Sequence, residues 1–385
     1  MNVPKLRFKE FNDEYKSIKL KEVSEIYDGT HETPNYVEKG VKFVSVENIS
    51  NLLDTTKFIP ESDYNKYKIK PKYNDVFMTR IGDIGTSSIY KSDEKLAYYV
   101  SLALLRTKDN HILIPDYLNQ YIKNNSFQKE LYNKTIHVAF PKKINTGEIG
   151  ECSINLCSDK EQLKVSNFLS LLDKKIELQS KKIEDLKLFK KGFIEFEFSN
   201  SNYNEINLKE ILKERKTYSE KGLEFPHVTL SKDGIYDKSD RYNRDFLVKS
   251  DDKKYKITYL NDLCYNPANL KFGVICLNEY GSAIFSPIYV TFVIKNIANP
   301  KYIKYYVTRN NFINAIRKYE QGTVYERMAV APEDFLKFSI KLPNIEIQNK
   351  FVAKLSKLDQ KIELENLKLS RYIKLKKGLM QNMFV

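Results

Sequence analysis

The chain of 385 residues lacks any apolar run near the roughly 18 residues that a membrane-spanning helix needs. The opening residues MNVPKLRFKEF also lack the apolar stretch of a secretory signal. Cysteine is scarce, because the sequence has only four, each within an otherwise apolar segment. We therefore expect reduced, packed thiols in a cytoplasmic protein, rather than a membrane protein or a disulfide-stabilised secreted protein.

Motifs of common enzyme classes are also missing from the sequence. It has no G-x-x-x-x-G-K-[ST] loop for nucleotide phosphates, and no G-x-G-x-x-G motif follows a predicted strand. Its histidines stand apart, and its cysteines lack the spacing of a zinc site. Asn266–Asn269 (NPAN) lacks the second proline and the aromatic residue of the methyltransferase N-P-P-aromatic loop, so we interpret it as a plain loop. We expect no catalytic residue, metal or cofactor in this chain.

Positive charge, by contrast, is abundant. The 64 Lys and Arg residues exceed the 50 Asp and Glu residues, which gives a formal net charge of +14. Such a surplus favours a polyanionic partner, most simply nucleic acid, and a basic soluble protein without such a partner is the alternative. The length exceeds one ordinary core and favours two domains.

One helical sequence occurs twice in the chain. LDKKIELQSKKIEDLKLFKKG (Leu172–Gly192) returns as LDQKIELENLKLSRYIKLKKG (Leu358–Gly378), at a constant offset of 186 residues. In both copies the apolar residues alternate steps of three and four, which is typical of a coiled coil. The predicted seam residues are Leu169, Leu172, Ile176, Ile183 and Leu186 in the first copy and Leu355, Leu358, Ile362, Leu369 and Tyr372 in the second.

The ends and the polar positions of these helices also have recognisable signals. Gln179 and Glu365 occupy the same place in both seams and are predicted to set the register, with a solvated edge as the alternative. Ser158 and Glu161 form a predicted capping box for the first helix, and Asn344 is the matching cap of the second. Each helix would be about 40 residues and about 60 Å long.

The segments before the two helices resemble each other more weakly. Tyr15–Val23 matches Tyr203–Ile211, and an Asn-Asp pair with apolar neighbours follows in each half, at Asp75 and Asp262. Short β-branched and aromatic runs predict strands. The sequence therefore predicts an α+β fold with an internal pseudo-twofold duplication. The predicted globular domains are 1–157 and 199–342, and the predicted long helices are 158–198 and 343–385.

Connectivity predicts how the two helices pair. If the domain between them is compact, its ends lie close together, and the second helix runs back along the first. We therefore predict a long antiparallel two-helix coiled coil that separates the two globular domains. The alternative is that each helix packs on a separate partner.

This arrangement resembles the DNA-specificity (S) subunit of a type I restriction–modification system, and the resemblance covers the whole chain. It rests on LDKKIEL and LDQKIEL, on KKG near the end of both helices, and on the helix entries. Family helices typically open with proline, then Glu-Gln four residues on. Pro343 is here followed by Ile347 and Gln348, whereas the first copy keeps Glu161 and Gln162 but has cysteine in place of proline.

The resemblance implies two target-recognition domains, each reading one half of a split sequence in double-stranded DNA. It also implies a non-catalytic subunit that docks two adenine methyltransferase (M) subunits and restriction/translocase (R) motor-nuclease subunits. S-adenosylmethionine, ATP and Mg would then bind to these partners. The residues by themselves leave two alternatives open, a stand-alone nucleic-acid-binding regulator and a protein-interaction scaffold.

Residues that read DNA bases directly need forked donors or amides on loops. In the first domain the candidates for DNA binding are Thr30, His31, Tyr36, Thr79, Arg80, Thr86, Ser87, Lys134 and Thr135. In the second domain they are Arg241, Tyr242, Arg244, Asn266, Asn269, Lys271, Thr323, Tyr325 and Arg327. A surface ion pair is the alternative for each arginine, and a plain polar surface position is the alternative for His31 and His137.

Overall fold

The computed structural model describes residues 3–199, 202–219, 224–238, 254–320 and 329–385. The chain is a mixed α/β protein that divides into two compact units. The first unit joins Met1–Lys181 to Asn366–Val385, and the second unit is Lys182–Glu365. This division falls within the long helices rather than at their starts, and the boundaries given above stay a prediction.

The first unit combines short strands with helices. Its strands are β1 (Lys16–Lys19), β2 (Ser24–Asp28), β3 (Val41–Val44), β4 (Phe58–Ile59), β5 (Val76–Thr79), β6 (Ser87–Ile89), β7 (Leu96–Tyr98), β8 (Leu102–Thr107) and β9 (Ser153–Leu156). Its helices are α1 (Leu20–Val23), α2 (Glu61–Lys66), α3 (Pro115–Ile122), α4 (Asn125–Lys134), α5 (Thr146–Gly150) and α6 (Asp159–Ser199), whose last residues belong to the second unit. The main sheet is antiparallel with the order β2-β8-β5-β6, beside a sheet of order β4-β3-β7 and the pair β1-β9.

The second unit is built from similar pieces. Its strands are β10 (Asn204–Asn207), β11 (Leu212–Glu214), β12 (Tyr218–Ser219), β13 (Val228–Ser231), β14 (Gly234–Asp237), β15 (Tyr255–Thr258), β16 (Leu263–Tyr265), β17 (Ile275–Leu277), β18 (Ala283–Phe285), β19 (Val290–Ile294) and β20 (Ser339–Leu342). Its helices are α7 (Leu208–Ile211), α8 (Pro300–Val307), α9 (Asn310–Ile316), α10 (Pro332–Lys337) and α11 (Ile345–Met383), whose last residues belong to the first unit. The sheet orders are β11-β19-β16-β17, β12-β15-β18, β13-β14 and β10-β20.

Side chains alternate across the main sheet of the first unit, as strand geometry requires. Val76 and Met78 pack on one face in a core that includes α3, whereas Phe77 packs on the other face with Tyr90 and Tyr98. All four residues of β5 are buried, because both faces of this central strand are covered.

The two units share an order of elements and of strands. In each unit the first strand pairs with the last, a four-residue helix follows, and a four-stranded sheet of matching order comes next. In each unit a helix that begins with proline, α3 at Pro115 or α8 at Pro300, comes before the last strand and the long helix. The middle segments differ, since β3 and β7 pair in parallel in the first unit, whereas β10 to β20 pair only antiparallel with one another among the described residues of the second unit.

The Asn-Asp pairs noted in the sequence have the same structural role in both units. Asp75 accepts two hydrogen bonds from the guanidinium of Arg106, at 2.8 and 2.6 Å, and Asp262 accepts two from Arg215, at 2.8 and 2.9 Å. Both carboxylates are buried, so each needs such a partner. The hydrogen bonds raise the pKa of both arginines and keep them charged.

Within the first unit, the beginning of α6 lies against the end of α11. Asp173 forms an ion pair with Lys376, and the ammonium of Lys175 lies 4.7 Å from the ring centroid of Tyr372. Residues beyond these continue into the core, where Phe384 packs against the rings of Tyr117 and Tyr121, with centroids 5.5 and 5.4 Å away. Later residues of α11 thus meet earlier residues of α6, and the two segments run antiparallel.

Within the second unit, the end of α6 lies against the beginning of α11 in the same sense. Lys190 forms an ion pair with Asp359, and Lys182 forms one with Glu365 at 2.9 Å. The rings of Phe193 and Phe351 stack with centroids 5.4 Å apart. All the predicted seam residues of both helices are buried or half-buried, as a shared apolar stripe requires.

A buried glutamine anchors each long helix to its own unit. In the first unit, Gln162 accepts from the backbone N–H of Ile114 at 2.9 Å and donates to the carbonyls of Ile112 and Cys157 at 2.8 and 2.9 Å. In the second unit, the equivalent Gln348 makes the corresponding contacts, with the N–H of Asn299 and the carbonyls of Ile297 and Pro343. Both amides thereby fix the start of a long helix to the start of another helix, α3 in the first unit and α8 in the second.

The predicted helix caps are confirmed only in part. Asn344 accepts from the N–H of Ile347 at 3.0 Å, as predicted. Ser158 accepts a longer hydrogen bond from the N–H of Glu161, at 3.4 Å. The carboxylate of Glu161 instead accepts hydrogen bonds from Arg7, at 2.8 and 2.7 Å, and from the hydroxyl of Tyr15 at 2.9 Å.

We predict that Gln162→Ala lowers the free energy of unfolding by about 1–3 kcal/mol, because it leaves a part-buried N–H and two carbonyls without this partner. The measurement is urea denaturation followed by circular dichroism. Gln360→Ala, at an exposed position on α11, is the matched control and should change little. Equal stability of the two variants would show that the anchor contributes nothing.

Candidate nucleic-acid interface

Two loops meet at one end of the main sheet of the first unit. The loop at 80–86 follows β5, and the loop at 135–143 follows α4. The N–H of Gly82 donates to the carbonyl of Lys142 at 2.8 Å, and the N–H of Ile136 donates to the carbonyl of Lys143 at 2.8 Å. Isolated β-bridges join Lys143 to both Ile81 and Ile136. The two loops therefore form one continuous surface.

Arg80, a predicted base reader, lies beneath these loops. Its side chain is only 8% exposed, and it donates to the carbonyls of Ile144 and Val100, both at 3.1 Å. The carboxylate of Asp28 lies 3.6 Å from its Nη1 atom. Burial lowers the pKa of the Arg80 guanidinium, an effect that Asp28 opposes. In this structure Arg80 ties three chain segments together, which speaks against direct contact with a base.

The other candidates on this loop divide by exposure. Thr79 is buried and accepts from the N–H of Thr86 at 3.0 Å, and Ser87 is buried and donates to the side chain of Asn119 at 2.9 Å. Thr86 is exposed, and its hydroxyl donates to Asp83 at 2.6 Å. Of these three candidates, Thr86 is the one that solvent reaches.

The candidates Thr30, His31 and Tyr36 lie on the segment between β2 and β3, which contacts the end of β7. Thr30 is half-buried, with its N–H donating to the carbonyl of Tyr98 at 3.1 Å. His31 is exposed and lies 3.0 Å from Asp28, the carboxylate that also lies near Arg80. Tyr36 is 47% exposed. Asp28 thus connects the candidate segment to Arg80, a link that the sequence did not reveal.

The candidates at the end of α4, Lys134 and Thr135, each bind another residue of the first unit. Thr135 donates to the carbonyl of Leu131 at 2.7 Å, and Lys134 forms an ion pair with Glu148 at 3.3 Å. His137 is exposed, as expected for a polar surface residue. Two apolar side chains of this loop, Val138 and Phe140, are also exposed, and sequence reasoning missed both.

In the second unit, the equivalent loop follows β16. Asn266 is buried, and its side chain accepts from the N–H groups of Ala268 and Asn269, at 3.1 and 3.2 Å. Asn269 is exposed and Lys271 is half-buried beside the exposed ring of Phe272. Six further candidates lie outside the described residues, namely Arg241, Tyr242, Arg244, Thr323, Tyr325 and Arg327.

Within the described part of the chain, no group of three or more His, Cys, Asp or Glu side chains is placed to hold a metal ion. In the same residues, no helix has both the length and the apolar character needed to cross a bilayer.

Comparison with known proteins gives a family match in the first half of the chain. Residues 12–188 match the family model of the type I restriction modification DNA specificity domain. This stretch contains both loops of the candidate interface and most of α6. The predicted resemblance to S subunits is therefore confirmed.

Solved structures extend the similarity of fold to the whole chain. The S subunit of a type I restriction–modification system from M. genitalium is 14% identical, with a TM-score of 0.57, over 100% of this chain and 99% of that chain. A chain from a structure of type I R-M complex assembly and conformational transition is 11% identical, with a TM-score of 0.60, over 96% of this chain and 97% of that chain. At these identities the similarity shows the fold alone.

We predict that Arg80→Ala lowers the free energy of unfolding by about 2–4 kcal/mol, because two buried carbonyls and a nearby carboxylate lose their cationic donor. Lys143→Ala, an exposed substitution on the adjoining loop, should leave stability nearly unchanged. Urea denaturation compares both variants with the parent protein. A stable Arg80→Ala protein that loses discrimination at one base would restore Arg80 as a base reader.

Proposed function

We propose that this chain is the sequence-recognition subunit of a type I restriction–modification complex and that it reads a bipartite site in double-stranded DNA. The observation that carries the proposal is the match of residues 12–188 to the DNA specificity domain, joined to a fold shared with S subunits along the whole chain. The net charge of +14 supports a polyanionic partner.

Each unit would contribute one target-recognition domain. The repeated order of strands, the paired buried aspartates and the paired glutamine anchors support an internal duplication. Base edges are read in the grooves, whereas phosphate contacts orient the reader, so exposed loop residues such as Thr86, Tyr36 and Asn269 are the better candidates for base contacts.

The long helices would form an antiparallel coiled coil that sets the distance between the two half-sites. The contacts within each unit support this arrangement, since α6 and α11 run antiparallel in both. Half-sites on one face of a duplex lie about 34 Å apart, or a multiple of that distance. A helical rod holds such a distance better than a flexible linker does.

The chemistry would belong to partner subunits. We propose that two adenine methyltransferase subunits dock on this chain and bind S-adenosylmethionine, and that restriction/translocase subunits use ATP and Mg. The chain itself would recognise DNA without catalysing a reaction, in the cytoplasm.

The test is to map methylated adenines in cells that carry the methyltransferase subunit with or without this chain. The proposal expects a split sequence that is methylated only when the chain is present. Unchanged methylation, together with sequence-specific binding by the chain alone, would favour a stand-alone regulator. Unchanged methylation without DNA binding would favour a protein scaffold.

Shortening both helices tests the measuring role of the coiled coil. Deleting one heptad from each, Gln179–Asp185 together with Glu365–Arg371, shortens the rod by about 10 Å. The spacer between the half-sites should then shrink by about three base pairs in methylation maps. Deleting the heptad from only one of the two helices is the control, since the helices would then pair out of register and specific methylation should be abolished. An unchanged spacer after the double deletion would contradict the measuring role.

A further inference from the structure

The loop at 135–143 of the first unit carries two apolar side chains in full contact with solvent. Phe140 is 104% exposed and Val138 is 97% exposed, relative to the reference for their residue types. Other large apolar side chains of this unit that are exposed retain partial cover, as Tyr132 does at 64%. Two such side chains at the tip of one loop form a small apolar surface that a partner could cover.

The base of this loop is held firmly. Ile136 and Lys143 form a bridge, Gly82 donates to the carbonyl of Lys142, and Ile144 donates to the carbonyl of Arg80 at 3.0 Å. Arg80 in turn donates to the carbonyl of Ile144 at 3.1 Å. The loop therefore presents its apolar tip on a fixed support, which lowers the entropic cost of binding.

The segment that carries the tip is rich in positive charge. The segment 133–145 contains three lysines and one histidine and no acidic residue. Lys142 and Lys143 follow the apolar tip after Pro141 and are exposed. An apolar tip beside cations suits a partner that offers both stacked aromatic surfaces and a line of negative charge. Duplex DNA has these two properties.

We propose that Phe140 inserts between adjacent base pairs of the DNA, with Val138 beside it and with Lys142 and Lys143 on the flanking phosphates. This inference rests on the proposed function and adds to it a deformation of the duplex. Apolar side chains that enter a base step unstack it and kink the helix, and pyrimidine–purine steps deform most easily. Phe140 would thus favour a flexible step without any hydrogen bond to a base.

The sequence offers a direct reporter for this insertion, because the chain contains no tryptophan. In Phe140→Trp the indole added to this chain should be quenched when it stacks on bases, and the parent complex titrated in the same way gives the background from the other subunits. Tyr73→Trp is the matched control, since Tyr73 is 53% exposed and lies beyond the opposite end of β5 from the loop. Both variants are assembled with the methyltransferase subunits and titrated with a duplex that carries the mapped split sequence.

Quenching at position 140 but not at position 73 is the expected result. Phe140→Ala should also weaken duplex binding about 5- to 100-fold, as expected when a stacked aromatic ring is lost. The affinity of Phe140→Leu should lie between that of the parent protein and that of Phe140→Ala. Tight binding of the duplex without quenching at position 140 would overturn the insertion and leave the proposed function intact. Unchanged duplex affinity of Phe140→Ala with loss of the methyltransferase subunits would overturn it in favour of a protein contact. Absence of duplex binding by the parent complex would overturn both proposals.

Discussion

The structure of each unit depends on one buried amide group at the start of its long helix. Gln162 and Gln348 each use one acceptor and two donors, and all three find backbone partners. A glutamine in this position fixes the long helix to the neighbouring helix, α3 or α8, by directional contacts. Apolar packing alone would allow the helix to slide or rotate, because it has no preferred direction. The orientation of the loops relative to the helix of the same unit is thereby defined.

The long helices were predictable because their signal is local. A period of three and four residues fixes which side chains share a face, and the structure buries those side chains. Asp173 and Asp359 are equivalent in the two copies, and so are Lys190 and Lys376. Each aspartate forms an ion pair with the lysine of the other copy, Asp173 with Lys376 and Asp359 with Lys190. A pair of antiparallel helices with related sequences makes each such contact twice, which explains why the aspartate and the lysine occur in both copies.

The loop candidates were less predictable because exposure is a property of the tertiary structure. Arg80 lies among glycines and threonines, a composition typical of a surface loop, yet the loops close over it. Phe140 lies in an apolar stretch typical of a core, yet it is at the tip of a loop. Neither position has a periodic neighbourhood that would reveal which way the side chain faces.

The departures from the repeat also have a physical reason. Glu161 serves Arg7 and Tyr15 of the first unit. In the second unit the equivalent tyrosine, Tyr203, donates to Glu197 near the end of α6 at 3.2 Å, so Ile347 can replace the glutamate at the helix entry. Both tyrosine hydroxyls therefore find a carboxylate on α6, near its start in the first unit and near its end in the second.

The packing of Phe384 against Tyr117 and Tyr121 constrains how the protein is made. On a ribosome, the residues of the second unit emerge after those of α3 and before the end of α11. The core of the first unit therefore stays incomplete while the more than 180 residues of the second unit are synthesised. The second unit is complete before the last residues of the first unit are made. Domains usually fold in the order of their translation. Here the unit that is started first would be the one that is finished last.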